Sequence, residues 1–322
     1  MLRFFPIALT TVALSACALF PTNGGVEEGM VWCNSRYLDA LPKHRPPFTG
    51  KNWQILRIAH QGYPYAVAGA VLLQEKQPPK YSINGDLILE RVTWLDRGRV
   101  KGGFRAATFK TRPLDGSLPE LIVTFKGTND ARDWFLHNLS PAPEQYEMAR
   151  DYVKLVAGSG IPHSRIVATG FSLGGGLASH VVQHDDTKNQ VAEAWLFNPS
   201  PRDGVITDEN PKVWFAATKG EILGWVRWDY VGTPPDHRGI DYDLIHSSNI
   251  YAHSRFVLAR EMLHFADLQQ HLKSDRTAST SIPLQVLQSS DPSRCTAKSA
   301  AEIERLRQEY ESLYPQATTS SR

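Results

Sequence analysis

The chain has almost no net charge to spend. Against 33 Asp and Glu stand 35 Lys and Arg, a formal +2 over 322 residues. A nucleic-acid binder shows a basic excess, and that excess is missing, so no nucleic-acid partner is expected. Cysteine is equally scarce. Only Cys17, Cys33 and Cys295 occur, an odd count that leaves one thiol over if the others pair. No internal repeat is visible, and the N-terminal apolar run from Phe4 to about Ala16 is short for a membrane span. What is present is material for a core. Apolar residues make up 42%, with 8 Trp, 13 Phe and 11 Tyr, which excludes an intrinsically disordered chain.

The first residues, MLRFFPIALTTVALSACA, place Arg3 before that apolar run and small residues after it, the layout of a secretory signal peptide. Leu14-Ser15-Ala16-Cys17 resembles the lipobox of bacterial lipoproteins. The resemblance implies cleavage before Cys17 and acylation of Cys17, and several acyl chains anchor a protein stably where one does not. Ala18 after the cysteine points, by the same resemblance, to the outer membrane of a bacterial cell envelope. Ala16-Cys17-Ala18 is also an A-x-A site, so release as a soluble protein, or retention as an uncleaved anchor, are the other readings. With Cys17 assigned, Cys33 and Cys295 form an even pair in an oxidising compartment, and a disulfide between them is expected.

After a Gly-rich, polar stretch and a Pro-rich connection (ALPKHRPPFTG, 40–50), strand-like runs are expected at Ala66–Leu73, Leu87–Trp94, Phe104–Lys110 and Leu121–Lys126. Helices are then expected at Glu144–Val156 and Leu173–His184, and strands at Arg165–Phe171, Val191–Phe197 and Lys212–Thr218. A helix from about Tyr251 to His271 follows, and another at Ala297–Tyr314. Strands first, then strand and helix alternating, imply an α/β protein with a mixed, mostly parallel sheet flanked by helices. The expected organisation is a signal peptide (1–16), an anchor and linker (17–50), one catalytic domain (51–285) and a C-terminal extension with a helix (286–322).

The most informative stretch is Gly170-Phe171-Ser172-Leu173-Gly174, a G-x-S-x-G pattern. An apolar strand ends at Phe171 and a helix of small residues begins after Ser172, the strand–turn–helix setting of a nucleophile elbow. A serine hydroxyl needs a histidine to take its proton and a carboxylate to fix that histidine's tautomer. In α/β-hydrolases these follow the serine in the order acid, then histidine. Glu221, just after the strand Lys212–Thr218, is the selected acid, with Asp229, Asp203 and Asp208 as alternatives. His237, His246, His253, His264 and His271 all follow Glu221 and fit this order. His253, in Ala252-His253-Ser254 at the start of a helix, is the selected histidine and His246 its first alternative. His180 and His184 stand four apart on one helix, but no Glu follows His180 and no third ligand is placed, so no metal and no cofactor is expected. Trp225, Trp228 and Tyr230 crowd the loop after Glu221, as a groove for an acyl chain or as a satellite core. The helix Glu144–Val156 is a candidate lid.

Phe125-Lys126-Gly127-Thr128, Asp133-Trp134 and the elbow Thr169–Ala178 together resemble the fungal-type (class three) lipase family. The likeness spans roughly 121–258, with Lys126 where Arg is usual and Phe171 where His is usual. It implies the α/β-hydrolase fold, with the backbone N–H of Leu173 and of Thr128 as the two oxyanion donors. Ala252-His253-Ser254 resembles the family's Ala-His-Ser before its last helix, while Glu221 stands where Asp is usual. The implied activity is that of a lipid-anchored serine carboxylic ester hydrolase of lipase or phospholipase type. It would act through an acyl-enzyme on a lipid or other acyl ester. An acyltransferase or thioesterase with the same triad, a peptidase, and an inactive surface-binding lipoprotein are the rivals.

Overall fold

The computed structural model describes residues 51–72, 80–83, 87–97, 104–113, 116–126, 143–200, 210–224, 238–242 and 252–273. The expected signal peptide, Cys17, Cys33, Cys295 and the C-terminal helix lie outside the described residues. Within them the elements run α1 (Lys51–Val71), β1 (Lys80–Ile83), β2 (Leu87–Arg97), β3 (Phe104–Pro113) and β4 (Glu120–Phe125). They continue with α2 (Pro143–Ala157), β5 (Arg165–Phe171), α3 (Leu173–Gln183), β6 (Val191–Phe197), β7 (Val213–Thr218), β8 (Gly239–Tyr242) and α4 (Arg255–Lys273).

All eight strands form one sheet in chain order. Strands β1 to β4 pair antiparallel, and β4 to β8 pair parallel. The mixed, mostly parallel α/β sheet expected from the sequence is what forms. Alternation along each parallel strand divides the core between two layers. Ile122, Val167, Phe171, Trp195 and Phe197 face α1 and α4. Leu121, Val123, Phe125, Ile166, Ala168 and Leu196 face α2 and α3. Burying a Val, Leu, Ile or Phe contributes about 1.5–3 kcal/mol each, so both sheet faces are committed to their helices. Helix α2 buries Ala149, Tyr152, Val153 and Val156, and the Tyr152 hydroxyl meets Thr108 Oγ1 at 3.0 Å. It is a fixed core helix of this layer, which corrects its reading as a lid.

The first helix corrects a second expectation. Ala66–Leu73 was expected as a strand, yet Lys51–Val71 is one 21-residue helix with Pro64 inside it. The run Ala66–Val71 is buried on every side, so the one-sided apolar period that distinguishes a surface helix is erased. Gly62 lets α1 settle onto the sheet: a Cβ there would stand 2.3 Å from Trp195 Cζ3. Polar contacts tie the helix down at three places. Tyr65 donates its hydroxyl to Glu120 Oε2 at 2.9 Å, and Arg165 binds Glu120 Oε1 at 2.6 Å and the Tyr65 hydroxyl oxygen at 3.0 Å. Tyr242 donates to Ile55 O at 3.2 Å, and Arg255 donates to Ala70 O at 3.1 Å. Burial and the adjacent Glu120 push the Tyr65 phenol above its ordinary pKa, so it stays a donor.

Candidate active site

Strand β5 ends at Phe171, and the chain turns into α3 through Ser172, whose backbone sits at φ 54, ψ −122. A non-glycine residue held in such a sparsely populated region costs about 1–3 kcal/mol, and neighbouring backbone bonds hold it there. Ser172 N donates to Phe197 O at 2.9 Å, while Ser172 O accepts from Gly175 N at 2.9 Å and Ser200 N at 3.2 Å. The flanking glycines have a steric reason. A Cβ on Gly170 would lie 2.3 Å from the Gly174 carbonyl carbon, and one on Gly174 would lie 2.2 Å from Phe125 O. Phe171 turns inward, its ring meeting Phe197 at a centroid distance of 5.0 Å, tilted by 31°. Serine favours helix N-caps, yet the Ser172 side chain makes no cap bond to α3. Leu173 is the first residue of α3, where a helix presents N–H groups that have no partner one turn earlier.

Beyond β7 the chain makes a turn through Gly220, at φ 74, and delivers Glu221 to a fully buried position. A buried carboxylate needs donors. Glu221 Oε2 meets His253 Nδ1 at 2.6 Å and accepts from Leu223 N at 2.9 Å. The His253 side chain keeps 18% exposure against 0% for Glu221, so the ring bridges the buried acid and the surface. With Nδ1 giving its hydrogen to the carboxylate, Nε2 is the basic nitrogen of the neutral ring.

Asn198, in the Phe197-Asn198-Pro199 stretch that resembles the lipase family's strand ending near a proline but without a role assigned from sequence, joins these parts. It follows β6 directly, fully buried, at φ 43. Its Oδ1 accepts from Thr218 N at 2.8 Å, and its Nδ2 donates to Ala252 O at 3.4 Å and His253 O at 3.5 Å. The signal available was an Asn before a Pro at the end of an apolar strand, since Asn tolerates left-handed turns.

The structure therefore places Ser172, Leu173, Glu221 and His253, and brings Glu221 and His253 into contact. Thr128 lies outside the described residues, as do Asp133, Trp134, Asp203, Asp208, Trp225, Trp228, Asp229, Tyr230 and His246. Phe125 O and the Lys126 carbonyl carbon nevertheless stand against Gly174, so the strand leading to Thr128 ends beside the start of α3. His180 Nε2 meets Arg150 Nη1 at 2.8 Å; a guanidinium only donates, so this nitrogen is an acceptor and the ring is neutral. Among the described residues no group of three or more His, Cys, Asp or Glu is placed to hold a metal ion.

No curated protein matches the chain. Among solved structures, the Lip2 lipase from Yarrowia lipolytica is similar at 12% identity and a TM-score of 0.34, over 62% of this chain and 82% of that one. An esterase of Pyrobaculum calidifontis is similar at 21% identity and a TM-score of 0.23, over 69% and 72%. Residues 80–200 match the family model described as phospholipase-like, a Tle-like phospholipase domain. That span takes in β1 to β6, Ser172 and Asn198, and ends before Glu221 and His253.

Proposed function

We propose that the chain is a serine carboxylic ester hydrolase of lipase or phospholipase type, held at a bacterial membrane through acylated Cys17. The observation that carries the catalytic reading is the 2.6 Å contact between Glu221 and His253 Nδ1. The elbow serine's hydroxyl, for its part, does not cap its helix. In this reading Ser172 Oγ attacks the ester carbonyl carbon while His253 Nε2 takes its proton. The oxyanion forms at the N-terminus of α3, where the Leu173 N–H and, from the resemblance, the Thr128 N–H stabilise it. Collapse expels the alcohol, which receives the proton from His253. Water, activated by the same imidazole, then releases the acid and restores Ser172. Glu221 holds the Nδ1–H tautomer and stabilises the imidazolium. The family model matched by residues 80–200 supports a phospholipid or related acyl ester as substrate. The lipobox resemblance at Cys17 supports a location in the cell envelope, at the outer membrane.

The test is a panel of phospholipid, glyceride and short-chain esters run beside a fluorophosphonate probe. Ser172→Ala and His253→Ala are expected to lower kcat by about a millionfold, and Glu221→Ala by about ten-thousandfold. Labelling should vanish in Ser172→Ala. A wild-type protein that neither labels nor cleaves any ester overturns the reading. Loss of activity in His246→Ala but not in His253→Ala would move the base to His246.

A further inference from the structure

We propose that Asn198 is the positioning residue that holds the catalytic histidine and its acid in register with the nucleophile. The inference rests on the serine-hydrolase reading of Ser172, Glu221 and His253. Three independent stretches of chain carry those side chains, and each meets the four-residue segment Phe197–Ser200. The elbow is bound on both sides of Asn198, by Phe197 O to Ser172 N at 2.9 Å and by Ser200 N to Ser172 O at 3.2 Å. The acid's strand is bound by Asn198 Oδ1, which accepts from Thr218 N at 2.8 Å, three residues before Glu221. The histidine's loop is bound by Asn198 Nδ2, which reaches Ala252 O and His253 O at 3.4 and 3.5 Å.

One carboxamide thus spends its acceptor on the acid side and its donors on the histidine side. Only Asn does this at such a site without strain. Its backbone is left-handed, at φ 43, which Asn tolerates. Asp has the acceptor but no donors, Gly has the backbone freedom but neither, and Asn198 is fully buried, away from bulk solvent. Glu221 alone fixes the ring's tautomer, but it does not fix where the His253 backbone stands. That placement decides whether Nε2 reaches the serine, and a misplacement of about 1 Å costs up to roughly a hundredfold in rate.

Asn198→Gly and Asn198→Asp are the variants to make. Glycine removes both halves of the contact while suiting the left-handed backbone; aspartate keeps the acceptor toward Thr218. Active sites are titrated with a fluorophosphonate so that kcat is read per competent serine. Both variants are expected to lose about 10- to 100-fold in kcat with KM within about twofold, since nothing that binds substrate is touched. A second readout needs no activity. The proton shared between His253 Nδ1 and Glu221 should give a far-downfield resonance in the wild type, and that resonance should shift or broaden away in Asn198→Gly. If Asn198→Gly keeps both the wild-type kcat per titrated site and the resonance, the proposal is overturned. If it loses stability but not rate per site, Asn198 is merely structural and the proposal is likewise overturned. Should the wild-type serine fail to label, the hydrolase reading falls by that result, and the resonance still decides whether Asn198 sets the His253–Glu221 pair.

Discussion

His180 is held neutral in the seam between α2 and α3. Burial pushes its pKa down first, and electrostatic interaction with Arg150 and then with His184 adds to this, bringing it to about 4. An unfolded histidine titrates near about 6.5, so between those values the unfolded chain binds a proton that the folded one refuses. Stability contributed here is present in full above about pH 6.5 and is lost as pH falls toward about 4. Partial exposure keeps the slope below the single-group limit of about 1.4 kcal/mol per pH unit. His180→Gln retains an acceptor for Arg150 and cannot titrate, so its urea midpoint should fall less than the wild type's across that window. Parallel curves for the two proteins would contradict the assignment. At this scale Ser172 and Glu221 are proposed from motif and strand order, and His253 from its resemblance to the Ala-His-Ser of the lipase family. The structure sets Glu221 against His253. The role of Asn198 is not legible in the sequence, because it depends on which carbonyls a distant loop brings to it.

At the scale of elements, legibility followed solvent exposure and length. Strands β2 to β7 and helices α2, α3 and α4 were each anticipated within a few residues, since each is long and shows an apolar run or face. The edge strands β1 and β8 have four residues apiece, KYSI and GIDY, too short to display a period. The second half of α1 misled because it is apolar all round and carries Pro64, a breaker by rule. Its position is enforced instead by a close approach. Trp195 is stacked on Trp214 at 5.0 Å with an interplanar angle of 6° and meets Tyr65 at 5.4 Å, so it cannot retreat from a new Cβ at Gly62. Gly62→Ala should therefore destabilise by about 1–3 kcal/mol through overpacking, against the roughly 1 kcal/mol that alanine gains in a helix. A denaturant midpoint decides between them, and a rise would mean that helix preference wins.

For the molecule as a whole, attachment and catalysis are assigned to separate parts of the chain. Among the described residues no helix is long and apolar enough to cross a membrane, and the membrane attachment proposed above rests on Cys17. Cys17→Ser should abolish incorporation of labelled palmitate and move the protein from the membrane fraction to the soluble one. Turnover of a dispersed ester by the purified protein should be unchanged. Retention of the Cys17→Ser protein in the membrane fraction would assign attachment elsewhere. The low net charge of the whole chain, +2, accords with such a division, since no electrostatic surface is needed where a lipid chain supplies the contact.

Helix α1 packs against α4, and this pairing bears on the order in which the candidate site forms. The bonds from Tyr242 to Ile55 and from Arg255 to Ala70 join residues 187 and 185 positions apart, whereas each strand of the sheet lies beside its neighbour in sequence. A chain emerging from its N-terminus can add strands one by one, but α1 has no partner helix until α4 arrives, and long-range closures come late. His253 stands two residues before Arg255. In the proposed hydrolase reading, a partly made or truncated chain therefore carries Ser172 and its elbow without His253, and stays silent until α4 docks.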